Sequence, residues 1–373
     1  MSRFWSLPAP SGPYAVGTLS ATLDPPTSKR IGRFDLTLWY PARPSSDRAP
    51  YGTGNGGLTS FIAQRLLRTP AARRAHVADG TARIPILLYT AGWGGVRTEN
   101  TGLALDLASH GFLVVALDDV GRDSAAQSAV SGRLDLSSAR AFRATLALAA
   151  RKRDRSARRV SYVLDRLLAS DGPLDRALRE RLDPTRVGAL GYSFGGAVAL
   201  RAAQIDPRIR AVVNLDGWLF QTGSEPAHHP HVPYMLISTV DPPVTAADLA
   251  SPDPVRRYTA ELDESDWRVQ LGELMQGGVL VAIAGTDHSS FFDDLHYAIL
   301  HRSRRAISPS HVASIVGGYV VAFFKQQLKG ESQPLLRTDA PHDGAVAFQS
   351  WPMMREPEQT RAQTSAADLS KSP

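Results

Sequence analysis

From residue 83 onwards, short apolar runs alternate with helical patterns along the chain. Ile84–Thr90 and Phe112–Leu117 are apolar runs of strand length, and the helical pattern of Glu99–His110 separates them. The other strand-length apolar runs are Val187–Leu190, Ala211–Leu215, Tyr234–Val240 and Val279–Ala284. Apolar strands that alternate with helices are typical of βαβ units, whose strands are parallel and buried on both faces. The pattern therefore predicts an α/β fold with a mostly parallel central sheet and flanking helices.

The segments around this core carry other patterns. Phe34–Tyr40 alternates apolar with polar residues, which predicts a half-buried strand near the start of the chain. Residues 138–182 and Ser310–Leu328 have helical patterns, and the second of these has a clear apolar face.

Two further segments decide the predicted domain boundaries. Leu58–Leu67 places its apolar residues on one helical face, so we expect a helical insertion near residues 58–75. Residues 331–373 are rich in polar residues and proline and show little periodicity, which is typical of disorder. We therefore expect one domain over residues 1–330 and a largely disordered tail over residues 331–373.

Composition narrows the classes of protein that need to be considered. The 373 residues are 43% apolar and 21% charged, as in a globular chain. The absence of cysteine excludes disulfides, cysteine-ligated metals and thiol nucleophiles. The net charge of +6 is diffuse, so it suits weak contact with an anionic membrane surface but predicts no nucleic-acid site. We interpret the Arg-rich stretch 151–159 as a solvated helix face.

Sequence signals for targeting and cofactors are weak. The first residues lack an apolar run of secretory length, and no segment approaches the roughly 18 apolar residues of a membrane span, so we expect a cytoplasmic protein. Gly52–Gly57 matches G-x-G-x-x-G but follows Pro- and Ser-rich sequence, whereas a dinucleotide site requires a preceding strand. We expect no metal and no cofactor, and no pattern indicates an oligomeric state.

The strongest chemical motif is Gly191-Tyr-Ser-Phe-Gly195, which matches G-x-S-x-G. An apolar strand precedes it and an Ala-rich helix follows, which is the setting of a nucleophile elbow. Glycines at 191 and 195 suit a tight turn where a Cβ would clash. The motif predicts an α/β-hydrolase fold in which Ser193 is the nucleophile.

Serine needs a base, and in this fold the base comes last in the chain, after an acid. His288 directly follows the late strand Val279–Ala284, at the sheet edge where such folds place functional groups. Two aspartates lie between Ser193 and His288 and end strands: Asp216 and Asp241. Spacing alone does not separate them, so both remain candidates for the acid.

An oxyanion requires two backbone N–H donors. One is expected from Phe194, directly after the nucleophile, and the other from Trp93 in the Gly-rich turn 91–95. Four aromatic residues near the candidate acid and base either wall a small acyl pocket or belong to the core: Trp218, Phe220, Phe291 and Phe292.

Several segments together resemble the type II platelet-activating factor acetylhydrolases, over roughly residues 10–330. The segments that carry the resemblance are Gly12–Gly17, Leu38–Pro41, Leu107–Phe112, Tyr192–Gly196 and Leu215–Phe220. The chain departs from that family at Tyr192 and at Ala91-Gly92, where the family has a histidine and a His-Gly pair.

The resemblance implies an acid at Asp216, within Leu-Asp-Gly-Trp-Leu-Phe, and a base at His288. It also implies an oxyanion residue at Trp93 and activity on a small-molecule or lipid ester. We therefore expect a serine hydrolase that cleaves short acyl esters, including the sn-2 acyl group of phospholipids. The alternatives are a generalist carboxylesterase or polyesterase and, from another class, a non-catalytic binding protein of hydrolase fold.

Overall fold

The computed structural model describes residue 7 and residues 9–29, 31–52, 68–80, 83–119, 134–221, 232–293 and 307–352. Within these ranges, eleven strands form one sheet in the order β11-β10-β9-β8-β7-β5-β6-β2-β1-β4-β3. The strands are β1 Ala15–Leu23, β2 Phe34–Ala42, β3 Arg48–Pro50, β4 Arg68–Arg73, β5 Ile84–Thr90, β6 Leu113–Leu117, β7 Leu182–Tyr192, β8 Ile209–Leu215, β9 Tyr234–Thr239, β10 Val279–Ile283 and β11 Val346–Ser350. The helices are α1 Thr101–Ser109, α2 Ala139–Leu168, α3 Arg176–Arg179, α4 Phe194–Ile205, α5 Ala246–Leu249, α6 Pro254–Leu274 and α7 Pro309–Lys329.

The centre of the sheet is parallel. Strands β6, β5, β7, β8, β9 and β10 pair in parallel, each with its neighbours in that order. Every residue of β5 and β6 is buried, which explains why these strands are continuous apolar runs in the sequence. The predicted mostly parallel central sheet is confirmed.

Helices cover both faces of this sheet. Side chains of α2 and α4 belong to the core on one face, and side chains of α1 and α7 belong to the core on the other. Gly330 ends α7 in a left-handed conformation, as a helix-terminating glycine does. Among the described residues, none of the helices combines the length and the apolar character needed to cross a membrane.

The inner face of α2 is unusually charged. Lys152, Arg153, Ser156 and Arg159 are buried, at the spacing of one helical face. The interpretation of residues 151–159 as a solvated helix face is therefore wrong for these side chains. The three cationic side chains bind acceptors inside the protein; for example, the backbone oxygen of Ile31 accepts from Arg159 Nε at 2.7 Å.

The N-terminal part extends the sheet on one side. β1 and β2 form an antiparallel pair, β2 pairs with β6, and β4 lies parallel to β1. Residues 68–73 form the strand β4, which pairs with β1 and β3. This part of the helical insertion expected near residues 58–75 is therefore a strand. The predicted helix at 58–67 lies outside the described residues.

The C-terminal segment extends the sheet on the other side. β11 pairs antiparallel with β10 over five residues, from Val279↔Ser350 to Ile283↔Val346. The expectation of disorder from residue 331 is therefore wrong for residues 331–352. The polar composition of residues 331–373 as a whole concealed this short edge strand, of which alternate residues, such as Val346 and Phe348, pack against the core. The rest of the expected tail, residues 353–373, lies outside the described residues.

Phe348 provides a test of the contribution of β11 to stability. Its ring stacks on His342 at a centroid distance of 4.2 Å and lies 5.9 Å from the ring of Tyr319 on α7. We expect Phe348→Ala to lower the free energy of unfolding by about 1–3 kcal/mol, measured by urea denaturation. Gln349→Ala, at the exposed neighbouring position, is the control and should change it by less than about 0.5 kcal/mol. Equal effects of the two substitutions would contradict the packing of β11 on the fold.

Candidate active site

Ser193 occupies a sharp turn between a strand and a helix. β7 ends at Tyr192 and α4 begins at Phe194, so Ser193 alone makes the connection. Its φ of 53° lies in the region that L-residues avoid, and the amide of Ser193 donates to the backbone oxygen of Leu215 at 2.8 Å. The tie to the neighbouring strand holds the strained turn in place.

The flanking glycines are required by close backbone approach. A Cβ at Gly191 would lie 2.2 Å from the backbone of Gly195. A Cβ at Gly195 would lie 2.0 Å from the backbone oxygen of Thr90, on the neighbouring strand. Both distances are far below van der Waals contact, so the tight turn indicated by the motif is present.

The structure brings Ser193, His288 and Asp216 together. Nε2 of His288 lies 2.9 Å from Oγ of Ser193, and Nδ1 of His288 lies 2.6 Å from Oδ2 of Asp216. His288 begins a short 3₁₀ turn just beyond β10 and is half-exposed, with 55% of its side-chain surface accessible. The carboxylate of Asp216 is only 12% exposed, so the acid is the sheltered end of this chain of contacts.

Two hydrogen bonds fix Asp216, one at its carboxylate and one at its backbone amide. The amide of Thr239 donates to its Oδ1 at 3.0 Å, and the amide of Asp216 donates to the backbone oxygen of Ile237 at 2.8 Å. The other candidate, Asp241, is exposed and accepts a hydrogen bond from the hydroxyl of Thr239. The structure thus places Asp216, and not Asp241, against the imidazole.

Tyr192 supports the imidazole from the side. Its ring stacks on His288 with a centroid distance of 5.0 Å and an interplanar angle of 29°. Its hydroxyl donates to the backbone oxygen of His288 at 3.0 Å. The sequence marked Tyr192 only as a departure from a family pattern. Its place directly before Ser193 is the signal that could have identified it as a neighbour of His288.

The Gly-rich turn beside Ser193 is held by two carboxylates, of which that of Asp119 is buried and that of Glu99 belongs to a half-buried residue. Gly92 donates its amide to Oε1 of Glu99 at 2.7 Å, and Gly94 donates its amide to Oδ2 of Asp119 at 2.7 Å. The amide of Trp93 lies between them and has no acceptor among the described residues. The amide of Phe194 is the first of α4, a position that lacks an acceptor within its helix. Two amides at adjacent turns are thus candidates to bind an anionic oxygen.

Two half-buried acids have strongly raised pKa values. Burial raises the pKa of Glu99 to about 7, against the opposing effect of the hydrogen bond from Gly92. Burial likewise raises the pKa of Asp293 to about 8. Asp293 lies five residues after His288. Its carboxylate accepts hydrogen bonds from the amides of Thr101 and Gly102, at the start of α1. These acids tie the Gly-rich turn and the segment that carries His288 to the same helix.

The four candidate pocket aromatics divide between the two faces of the sheet. The ring of Phe220 lies 6.3 Å from Trp93 and 5.8 Å from Phe194, and Trp218 packs edge-on against Phe220 at 5.9 Å. Phe291 is buried in the core on the opposite face, which favours its interpretation as a core residue.

Phe292 is half-buried, with its ring 5.2 Å from Tyr192. It therefore lies on the His288 side of the site.

Among the described residues, no group of three or more His, Asp or Glu side chains is arranged to hold a metal. The histidines at 228, 229 and 231 lie outside the described residues.

Comparisons with known proteins agree with this architecture. A family model described as platelet-activating factor acetylhydrolase, isoform II, matches residues 56–158, and one described as PET hydrolase-like matches residues 144–252. The chain is 29% identical to a platelet-activating factor acetylhydrolase of Bos taurus, over 59% of this chain and 56% of that protein. It is 28% identical to a cutinase of Thermobifida alba, over 34% of this chain and 32% of that protein. The resemblance to the type II platelet-activating factor acetylhydrolases is confirmed.

A solved structure supports the fold along nearly the whole chain. A ferulic acid esterase from Streptomyces cinnamoneus superposes with a TM-score of 0.68 at 24% identity, over 92% of this chain and 99% of that one. The α/β-hydrolase fold is thereby confirmed. The chain spans between 55% and 62% of the length of the acetylhydrolases that it matches.

Glu99→Gln tests the half-buried acid at the Gly-rich turn. The folded protein holds the Glu99 proton more tightly than the unfolded chain, because burial raises its pKa from 4.5 to about 7. Its contribution to stability is therefore complete below pH 4.5 and is lost as pH rises through about 7.

We expect the stability of the wild type to fall, relative to that of Glu99→Gln, by on the order of 1–3 kcal/mol between about pH 5 and pH 8. Urea unfolding across this range measures the difference. Glu264→Gln, at an exposed ion pair with Arg268, is the control for loss of a charge. A stability difference between wild type and Glu99→Gln that is constant with pH would contradict the raised pKa.

Proposed function

We propose that the protein is a serine hydrolase that cleaves carboxylic esters. The observation that carries the proposal is the continuous chain of contacts from Ser193 Oγ through the imidazole of His288 to Asp216. Serine alone is a weak nucleophile, and an adjacent base oriented by an acid is what activates it. A binding protein does not need this arrangement, so its presence favours an enzyme.

In the proposed reaction, Ser193 Oγ attacks the ester carbonyl while Nε2 of His288 takes the hydroxyl proton. Asp216 holds the Nδ1–H tautomer and stabilises the imidazolium that forms. Collapse of the tetrahedral intermediate breaks the ester bond, and His288 delivers the proton to the leaving alcohol. Water, activated by the same imidazole, then cleaves the acyl-enzyme and regenerates the serine.

In this proposal, the amides of Trp93 and Phe194 donate hydrogen bonds to the oxyanion of the tetrahedral intermediate. Preorganised donors in a sheltered site stabilise this charge strongly, because they need no reorientation during the reaction. The amides of Gly92 and Gly94 already donate to carboxylates of the protein, whereas the amide of Trp93 between them has no acceptor among the described residues. This arrangement supports the role of Trp93 as an oxyanion donor.

We propose a short acyl group as the substrate moiety, including the sn-2 acyl group of phospholipids. Phe220 packs against the rings of both candidate oxyanion residues but is itself only 4% exposed, so the half-buried Trp218 and Phe292 are the candidates among these aromatics to wall the space beside Ser193. The similarity to platelet-activating factor acetylhydrolases supports a short acyl group and a lipid substrate.

A second candidate is a generalist carboxylesterase or a polyesterase. The PET hydrolase-like family model covers residues 144–252, which include Ser193 and Asp216, and favours this alternative. The half-exposed imidazole of His288 also suits a bulky or polymeric ester. The two candidates differ in acyl length and in the response to phospholipid, so a substrate series distinguishes them.

The first test measures hydrolysis of p-nitrophenyl acetate, butyrate and octanoate and of a short-sn-2-acyl phospholipid. We expect rates to fall with acyl length, the phospholipid to be cleaved, and Ser193→Ala to lower kcat by about 10⁴-fold or more. Activity on the simple esters alone would favour the carboxylesterase. Absence of Ser193-dependent activity on every ester would contradict the proposed function.

The acid is tested by a matched pair of substitutions. Asp216→Asn should lower kcat by on the order of 10³–10⁴-fold, because the imidazole loses its tautomer and its charge partner. Asp241→Asn should leave kcat near the wild-type value. The reverse result would show that Asp241 is the acid.

A further inference from the structure

We propose that Lys152 and Asp119 form a buried ion pair that positions Trp93 for oxyanion binding. This inference rests on the proposed ester hydrolysis. Neither residue touches the reacting atoms, so both act as positioning residues through the Gly-rich turn.

The pair lies directly behind the candidate oxyanion residues. Nζ of Lys152 lies 2.7 Å from Oδ2 of Asp119, and the two side chains are 7% and 1% exposed. The same ammonium lies 4.1 Å from the ring centroid of Trp93 and 5.5 Å from that of Phe194. One cation therefore contacts the rings of both residues whose amides are assigned to the oxyanion.

Asp119 connects the pair to the backbone of the turn. Its Oδ2 accepts from Lys152 and also from the amide of Gly94, the residue after Trp93. Gly94 has a φ of 70°, a conformation that its lack of a Cβ permits. On the other side of Trp93, the amide of Gly92 donates a hydrogen bond to the carboxylate of Glu99. The Trp93 peptide is thus held between two carboxylates, one of which depends on Lys152 for its charge balance.

The indole of Trp93 has no polar anchor of its own. Its buried Nε1 has no hydrogen-bond partner among the described residues. The ring is held by the Lys152 ammonium and by edge-on packing against Phe194 at 4.9 Å. A cation–π contact that is shielded from water is stronger than an exposed one, so removal of the ammonium releases the ring.

Stability alone does not explain the pair. A buried ion pair contributes little net stability compared with apolar residues of similar volume, because both charges lose their hydration. The neighbouring Asp118 has its own cation, Arg97, so Lys152 is not needed for that charge. The effect specific to Lys152 and Asp119 is the fixed geometry of the turn.

The experiment compares full-length wild type, Lys152→Met and Arg159→Met. Arg159 is the matched control because it is a buried cation on the same helix that lies over another aromatic ring, Phe34, at 4.7 Å. The measurements are kcat and KM for p-nitrophenyl acetate, the Ki of an aryl trifluoromethyl ketone, and the pH profile of kcat/KM. The ketone forms a tetrahedral adduct with an oxyanion, so its Ki reports on the oxyanion donors.

We expect Lys152→Met to lower kcat about 10- to 100-fold and to weaken ketone binding by a similar factor. KM should change little, and the pH profile should keep its midpoint because the Ser193–His288 contact is untouched. Arg159→Met should leave kcat and Ki near the wild-type values. Lys152→Arg, which keeps the cation, should restore part of both losses.

Equal losses in Lys152→Met and Arg159→Met, or a loss of kcat without weaker ketone binding, would overturn the positioning role. If Lys152→Met does not fold, Asp119→Asn breaks the same pair, and an unchanged Ki in that variant would overturn the inference. A wild type with Ser193-dependent activity and an unaffected Lys152→Met would refute this inference alone. A wild type without such activity would overturn the proposed function and this inference with it.

Discussion

The left-handed turn at Ser193 is the constraint on which the rest of the site depends. A serine at φ 53° is unfavourable by itself, and the turn persists because strands and helix hold it from several sides. Gly191 and Gly195 allow the backbones to meet, and the amide of Ser193 is bound to β8. Because Asp216 directly follows β8, the strand that secures Ser193 also positions Asp216. The distance between Ser193 and Asp216 is thereby set by strand pairing in the sheet.

Buried charge supplies the second layer of organisation. Glu99 and Asp119 bind alternate amides of the Gly-rich turn, and Asp293 binds the start of α1 near the segment of His288. Glu99 is desolvated in this position, so its ionisation destabilises the fold, as its raised pKa reflects. The protein therefore holds the amide of Gly92 with a group that lowers its stability above neutral pH. An apolar core could not bind backbone amides in this way.

The sequence predicted the parts of the site that depend on order along the chain. Ser193 and His288 were identifiable because each follows an apolar strand, and their side chains meet at 2.9 Å. Asp216 and Asp241 were not separable from spacing, because both follow parallel strands and end at the same sheet edge. The difference between them is local. Asp216 has a φ of 55° and points to the imidazole, whereas Asp241 lies exposed beyond the end of β9.

Two segments differ from the structure that their sequences predict, because the average polarity of a segment does not show which of its side chains face the core. β11 is a five-residue strand, Val-Ala-Phe-Gln-Ser, inside a polar segment, and its Val346 and Phe348 pack on the core where the strand completes the sheet beside β10. The Arg-rich stretch of α2 directs Lys152, Arg153 and Arg159 inward, where carboxylate and backbone oxygens bind them. A long cationic side chain can serve as an interior crosslink when acceptors are preorganised around it. Part of the net charge of +6 is therefore unavailable to a surface, which weakens any argument from charge for an anionic partner.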